Sequence, residues 1–229
     1  MDGSSSHSLN LDHHAKVLAG STSRNRYLSS RRKRGLDIVG AVGIGLFFSP
    51  VIVVVTAIMA FQKGSIFFVH ERIGHRGKRF SCYKFRSMVP DADRVLEQIL
   101  ENDHAARAEW NKGFKLRRDP RVTLVGAFLR KTSLDELPQL LNVLKGDMSL
   151  VGPRPVVREE LLRYGRGARY YLSARPGLTG LWQVSGRSDV DYRRRVAMDR
   201  AYSERADIGM DINLIARTVI VVLKLKGAY

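Results

Sequence analysis

Asp135 and Glu136 stand side by side in Thr132-Ser133-Leu134-Asp135-Glu136-Leu137-Pro138-Gln139, and Arg154 follows within Gly152-Pro153-Arg154-Pro155. An ionised acid at a helix start is available as an anionic nucleophile, and Arg154 is held rigidly between Pro153 and Pro155. Leu137, Leu140, Leu141, Val143 and Leu144 recur at helical spacing, with Lys145 as a basic last turn and Gly146 as a stop. The dyad therefore belongs at the N-terminal end of a short helix. Ser133 with Glu136 offers a capping box, whereas Pro138, best tolerated in a first turn, favours a start nearer Asp135. In either register the dyad faces free backbone N–H groups, which attract phosphate and favour ionised carboxylates. Adjacent acids at a helix start are more often plain caps, so the surroundings must decide.

The elements that would position these groups are legible in outline. At 229 residues, 44% hydrophobic and 27% charged, the chain can bury one sizeable core and reads as globular. A formal net charge of +17 calls for an anionic partner, whether nucleic acid, acidic lipid or phosphorylated substrate. The single cysteine, Cys82, excludes an intramolecular disulfide and a cysteine-rich zinc site and fits a reducing cytoplasmic environment. Residues 1–30 are polar and serine-rich without periodicity and read as a disordered tail. His7, His13 and His14 lie there without other ligands and are given no role.

Arg31-Arg32-Lys33-Arg34 introduces an uncharged apolar run over residues 38–61, long enough to reach across a bilayer core of roughly 30 Å. Ser49-Pro50 lies near its middle, where proline removes a helical hydrogen bond and kinks the helix. Basic residues flank the run on both sides, with Lys63, Arg72, Arg76, Lys78 and Arg79 following it, so the positive-inside tendency pulls both ends toward the cytoplasm. A kinked spanning helix and a re-entrant hairpin both satisfy the length. The chain thus divides into the tail 1–30, the basic flank and membrane helix 31–62, and a catalytic domain 63–229.

Ile66-Phe67-Phe68-Val69 and Phe80-Ser81-Cys82-Tyr83-Lys84-Phe85 read as two short strands around Gly74 and Gly77. Lys84 and Arg86 flank Phe85, so they share one face and could meet phosphate together, or form a solvated basic face. Residues 91–112 show the spacing of one amphipathic helix ending near Trp110, and a polar helix is expected over about 190–204. Ile212, Leu214, Ile215, Val219, Ile220 and Leu223 form a short apolar segment interrupted by Arg217, suited to an interfacial or core helix.

The ordered series Tyr83-Lys84-Phe85-Arg86-Ser87-Met88, Asp119-Pro120-Arg121, Phe128-Leu129-Arg130-Lys131, the dyad stretch, Lys145-Gly146-Asp147-Met148-Ser149-Leu150-Val151 and Arg175-Pro176-Gly177-Leu178-Thr179-Gly180-Leu181-Trp182-Gln183-Val184-Ser185-Gly186-Arg187 closely resembles the bacterial sugar transferases, the monotopic polyprenyl-phosphate glycosyl-1-phosphate transferases. The resemblance covers residues 34–229. It implies a small mixed α/β catalytic domain with a Ser-Pro-broken re-entrant membrane helix hinged at Ser49 and Pro50, and amphipathic interfacial helices. It also implies transfer of a sugar 1-phosphate from a UDP-sugar to polyprenyl (undecaprenyl) phosphate on the cytoplasmic face of the bacterial inner membrane, initiating polysaccharide or glycoconjugate assembly. By the same resemblance Asp135 is the nucleophile that carries a covalent phospho-sugar, Glu136 is the Mg²⁺ ligand with Asp135 as a second candidate, and Lys84, Arg86, Arg130 and Arg154 bind substrate phosphate. Pro153, Pro155, Gln183 and Arg187 are candidates for the nucleotide-sugar pocket, and glucose or galactose is the favoured sugar. The aromatic-rich segment that usually precedes the last helix is replaced here by Ala206-Asp207-Ile208-Gly209-Met210. Membrane lipids are expected partners, a homo-oligomer is left open, and no motif for reading nucleic-acid bases accompanies the basic clusters. Two rivals are a direct ternary transfer with Asp135 as base and a membrane-tethered nucleic-acid-binding protein.

Overall fold

The computed structural model describes residues 25–113, 116, 119–186 and 190–223. Arg187 and most of the tail 1–30 lie outside them. Residues 25–30, assigned to that tail from sequence, are ordered: Asn25 Oδ1 accepts from the Tyr27 N–H at 3.0 Å and caps a 3-10 turn, Arg26–Ser29. Asn25 also donates to the Ala206 carbonyl at 2.8 Å, which ties this turn to the far end of the chain.

Helix α1 (Arg31–Phe47) and helix α2 (Ser49–Ala60) meet at Phe48. Pro50 has no N–H to give the Leu46 carbonyl, and the Ser49 hydroxyl donates to that carbonyl instead, at 2.8 Å. The serine thus repairs the bond its neighbour breaks. Helix α1 buries Lys33, Asp37 and Ala41 at four-residue spacing, and α2 buries Val55 and Met59. Leu46, Phe47, Val53, Val54, Ile58 and Phe61 remain exposed, and residues 31–60 are long and apolar enough to cross a membrane by length and composition.

Strands β1 (Phe67–Ile73) and β2 (Arg79–Phe85) form the expected antiparallel ribbon, with Phe68 opposite Lys84, His70 opposite Cys82 and Arg72 opposite Phe80. The single helix expected over 91–112 is two, α3 (Ala92–Asn102) and α4 (His104–Gly113). Asp103 causes the break: its side chain accepts from the Ala105 and Ala106 N–H groups at 2.8 and 3.0 Å, capping a new helix in place of continuing the old one. Helix α5 (Leu124–Thr132) leads into a 3-10 turn, Leu134–Glu136, and then helix α6 (Gln139–Lys145). Strands β3 (Ser149–Val151) and β4 (Gly177–Thr179) pair in parallel around the short helices α7 (Arg158–Leu162) and α8 (Ala168–Ser173). Helices α9 (Tyr192–Arg205) and α10 (Ile208–Leu223) complete a mixed helical and small-sheet architecture.

The last helix starts earlier than its apolar run suggests and takes Asp211 inside, fully buried. Lys33 answers it: Nζ lies 2.7 Å from Asp211 Oδ2 and 3.2 Å from Asp37 Oδ1, and donates to the Val151 carbonyl at 3.1 Å. Ser149 and the Leu150 N–H donate to Asp37, and the Tyr27 and Tyr202 hydroxyls donate to Asp211. Arg34 donates to the Val143 and Leu144 carbonyls at the end of α6, at 2.6 and 2.7 Å. Two of the four basic residues expected to flank the membrane are therefore committed to contacts within the protein, Lys33 in its interior and Arg34 at its edge.

Candidate active site

The dyad sits on a sharp reversal. Ser133 caps α5 in the left-handed region (φ 59°, ψ 16°), and the 3-10 turn that follows carries Asp135 inward to 8% exposure. Two expectations are corrected here. Ser133 makes no side-chain cap bond, so no capping box forms, and α6 begins only at Gln139. The turn's own bonds, Glu136 N–H to the Ser133 carbonyl and Leu137 N–H to the Leu134 carbonyl, take up donors that a phosphate was expected to find free. Among the described residues the positive charge nearest the dyad is a side chain, Lys84.

Asn142, fully buried on α6, brings Lys84 into register. Its Nδ2 donates to the Ser81 carbonyl at 2.7 Å and its Oδ1 accepts from the Tyr83 N–H at 3.1 Å, so the side chain stands in for a strand partner along β2. With α6 pinned there, Lys84 Nζ reaches Glu136 Oε1 at 2.7 Å and lies 3.8 Å from Asp135 Oδ2. Arg130, from the last turn of α5, is held by a 2.8 Å bond from Nε to the Ser87 hydroxyl. Gly126 makes this possible, because a Cβ there would strike the Ser87 carbonyl and hold α5 away.

The loop carrying Arg154 is fastened on two sides. The Gly152 N–H donates to the Thr179 carbonyl at 2.9 Å, the Gly177 N–H to the Pro153 carbonyl at 2.7 Å, and the Ile73 N–H to the Val156 carbonyl at 3.0 Å. Gly152 packs so closely on the backbone of residues 175–177 that any side chain would displace it. Arg154 is exposed, with its guanidinium carbon 5.9 Å from the centre of the Trp182 ring. Lys84, Glu136, Arg154, Pro155 and Gln183 line one cleft, and Arg72, Cys82 and Gln139 join them. Gln183 donates to the Leu178 carbonyl at 3.2 Å, while its Oε1 is buried without a hydrogen-bond partner.

Pro153 is buried under the loop. Arg86 is placed differently from Lys84: its guanidinium lies against Gly64 and Pro90, below the segment leaving α2, and its Nη1 is buried without a partner. Asn142, which pins α6 to β2, and Arg72, which lines the cleft from the end of β1, carry no signal of these positions in the sequence, where Arg72 reads as flanking charge.

Burial is the main cause pushing the Asp135 carboxyl up to about 6, and adjacent Glu136 adds to it, while Lys84, Arg130 and Arg154 pull it back. Burial likewise lowers Arg130 from the ordinary arginine value, against the pull of Asp135. The arrangement is a half-shielded carboxylate among cations, suited to attack on a phosphorus whose own negative charge those cations offset. Among the described residues no group of three His, Cys, Asp or Glu side chains could hold a metal alone. Mg²⁺ is commonly held by one or two carboxylates with water and substrate phosphate oxygens completing the shell, and the dyad fits the protein's share of such a site.

The profile of the bacterial sugar transferases matches residues 28–225. The undecaprenyl-phosphate galactose phosphotransferase of Salmonella typhimurium is 54% identical over 197 residues, 86% of this chain and 41% of that protein. The UDP-galactose-lipid carrier transferase of Erwinia amylovora is 48% identical over 219 residues, 96% of this chain and 46% of its own length. This chain thus spans less than half of those two relatives. The exopolysaccharide production protein ExoY of Rhizobium meliloti is 47% identical over 205 residues, 89% of this chain and 91% of the relative. With the family's profile matched over residues 28–225 and relatives about half identical over most of its length, the chain belongs to the bacterial sugar transferase family.

Proposed function

We propose that this chain transfers a sugar 1-phosphate from a UDP-sugar to polyprenyl phosphate at the cytoplasmic face of the inner membrane, the first step of building an exopolysaccharide or related glycan. The observation that carries the reading is Asp135, buried beside Glu136 with Lys84 Nζ 3.8 Å from its Oδ2; burial pushes its carboxyl up to about 6, against the pull of Lys84, Arg130 and Arg154. A carboxylate with a pKa near 6 is largely ionised at neutral pH and more basic than an ordinary one, as a nucleophile requires. Its oxygen attacks the sugar-bearing phosphorus, the bond to the bridging oxygen breaks, and the electron pair leaves with the nucleotide monophosphate. The acceptor phosphate then attacks the same phosphorus and regenerates Asp135. Lys84 keeps Glu136 and Asp135 oriented, and Arg130 and Arg154 bind the phosphates. Mg²⁺, bound by Glu136 and Asp135, would neutralise diphosphate charge.

The membrane arrangement rests on where the two half-helices dock. Ala41 of α1 packs with Leu140, Leu150 and Val143, and Val55 and Met59 of α2 pack with Phe85 and Leu129, so both halves lean on the body that holds the dyad. That supports a hairpin entering and leaving one leaflet with its exposed tip around Phe47 in lipid. Exposed Ile208, Ile212, Val219 and Ile220 on α10 supply a matching apolar face for the membrane interface. Gln183, with its buried lone acceptor, and Pro155 are the described residues best placed to meet the nucleotide sugar. The names of the relatives favour galactose as the hexose.

The test is release of nucleotide from a panel of UDP-sugars by the full-length protein in detergent, with Mg²⁺ and undecaprenyl phosphate. Release of UMP with formation of a lipid-linked sugar diphosphate from UDP-galactose or UDP-glucose is the expected result. Failure with every sugar would end this reading.

A further inference from the structure

The ribbon pairing puts Arg72 on the same face as Lys84, since residues opposite one another in an antiparallel pair share a side and Phe68–Lys84, His70–Cys82 and Arg72–Phe80 are successive pairs of one face. Arg72 and Lys84 both line the cleft, together with Glu136, Gln139 and Arg154. The bond from Ile73 to Val156 fastens the end of β1 to the loop that carries Arg154, which brings two arginines from distant parts of the chain to one cleft. Among the described residues no carboxylate pairs with Arg72. Its Nη2 donates to His70 Nδ1 at 3.2 Å, because a guanidinium has no acceptor to offer. His70 is thereby a neutral imidazole with its proton on Nε2, and burial followed by the Arg72 charge lowers its pKa.

Burial, and then Arg154, lower Arg72 from the ordinary arginine value. Two arginines lining one cleft, neither held in a carboxylate ion pair among the described residues, suit an anionic group. The position selects which. Lys84, 3.8 Å from Asp135 Oδ2, and Arg72 stand two pairs apart along one face of the ribbon, so within the cleft Arg72 is the cation farther from the nucleophile. A diphosphate with one phosphorus at Asp135 extends its second phosphate along that cleft toward Arg72.

We propose that Arg72, oriented by His70, joins Arg154 in a clamp on the departing nucleotide phosphate, an inference that rests on the phosphoryl transfer proposed above. When the Asp135 oxygen forms its bond to the sugar-bearing phosphorus, the bond from that phosphorus to the bridging oxygen breaks and a full negative charge collects on that oxygen. The clamp holds the charge as it forms, and no proton need move. Arg72 is a binding residue; His70 is a positioning residue that acts through it.

The experiment uses the full-length protein in detergent and titrates it calorimetrically with UMP and, separately, with uridine. Arg72→Gln should weaken UMP binding about tenfold or more, as expected for loss of a charge-assisted bond, and leave uridine binding unchanged. Arg72→Lys should recover part of the loss, and His70→Phe should weaken UMP by a smaller factor. Unaltered UMP affinity in Arg72→Gln, an equal loss for uridine, or no UMP binding by the unmodified protein would each overturn the clamp. Nucleotide release from UDP-sugar is measured on the same preparations. Turnover by the unmodified protein with no effect of Arg72→Gln on UMP sinks the clamp and spares the transferase reading. Binding of UMP that depends on Arg72 in a protein that never releases nucleotide does the reverse.

Discussion

Replacing Asn142 tests whether the site is assembled by one side chain posing as a strand. Asn142→Leu keeps a similar volume and deletes both bonds to β2, leaving the Ser81 carbonyl and the Tyr83 N–H without their partner in a partly buried seam. An unsatisfied backbone group costs about 1–3 kcal/mol, so the pair should cost about 4 kcal/mol. For a chain of this size each kcal/mol lowers the midpoint of thermal unfolding by about 2–4 °C, which gives a fall of about 8–16 °C. Asn142→Asp should be no better, since it can still accept from Tyr83 but sets a second acceptor against the Ser81 carbonyl. The seam also fixes Lys84 against Glu136. Nucleotide release measured well below the lowered midpoint should therefore slow about tenfold or more, because small displacements of positioning groups are costly to rate. Tryptophan fluorescence follows unfolding, and rapid quench follows release. A variant Asn142→Leu that melts within about 3 °C of the parent and releases nucleotide at the parental rate would refute the reasoning.

The acid limb of the rate profile should report Asp135: raised to about 6, it is protonated and inert below that pH and ionised above it. Lys84→Met removes a cation 3.8 Å away that favours the carboxylate, so the limb should move up; at about 1–4 kcal/mol for unit charges near 4 Å the shift is about one unit or more, and a downward or absent shift in single-turnover release would contradict it. Lys33→Met strands Asp37 and Asp211 together in the core and should cost about 3–5 kcal/mol, visible as a large loss of melting temperature, whereas Asp211→Asn, which keeps a hydrogen-bonding side chain and removes one charge, should cost less. Cysteines placed near Ser23 and near Lys112 should both resist an impermeant reagent in sealed cells and react after lysis, and Pro50→Leu, by restoring a straight helix, should carry the tail across. Labelling of the tail alone in the parent protein would defeat the hairpin.

Local pattern made part of this molecule legible. The Phe67–Phe85 ribbon, the break at Ser49-Pro50 and the acid pair ahead of α6 follow from alternation, proline chemistry and helical spacing within a few residues. What escaped was set by partners far away in the chain. Lys33 reads as one more positive charge beside a membrane segment until Asp211 arrives to meet it. Asn142 reads as a polar residue on a helix, because its value lies in the edge of a strand some sixty residues earlier. Arg72 reads as flanking charge until Ile73 pairs with Val156 and the loop that carries Arg154 closes on the same cleft. The setting of the dyad differs from the expected helix start: it lies on a 3-10 turn whose Glu136 and Leu137 N–H groups bond within the turn, a reversal set by the left-handed Ser133 rather than by helical spacing.

The most direct test of the central claim is the intact mass of the full-length protein after a rapid quench with UDP-sugar and Mg²⁺ and no polyprenyl phosphate. The account predicts up to one equivalent of UMP released and the mass of a sugar phosphate gained on the peptide that contains Asp135, discharged when polyprenyl phosphate is added and absent from Asp135→Asn. Nucleotide release that depends strictly on polyprenyl phosphate, together with substantial turnover by Asp135→Asn, would contradict it and transfer the role of Asp135 from nucleophile to base.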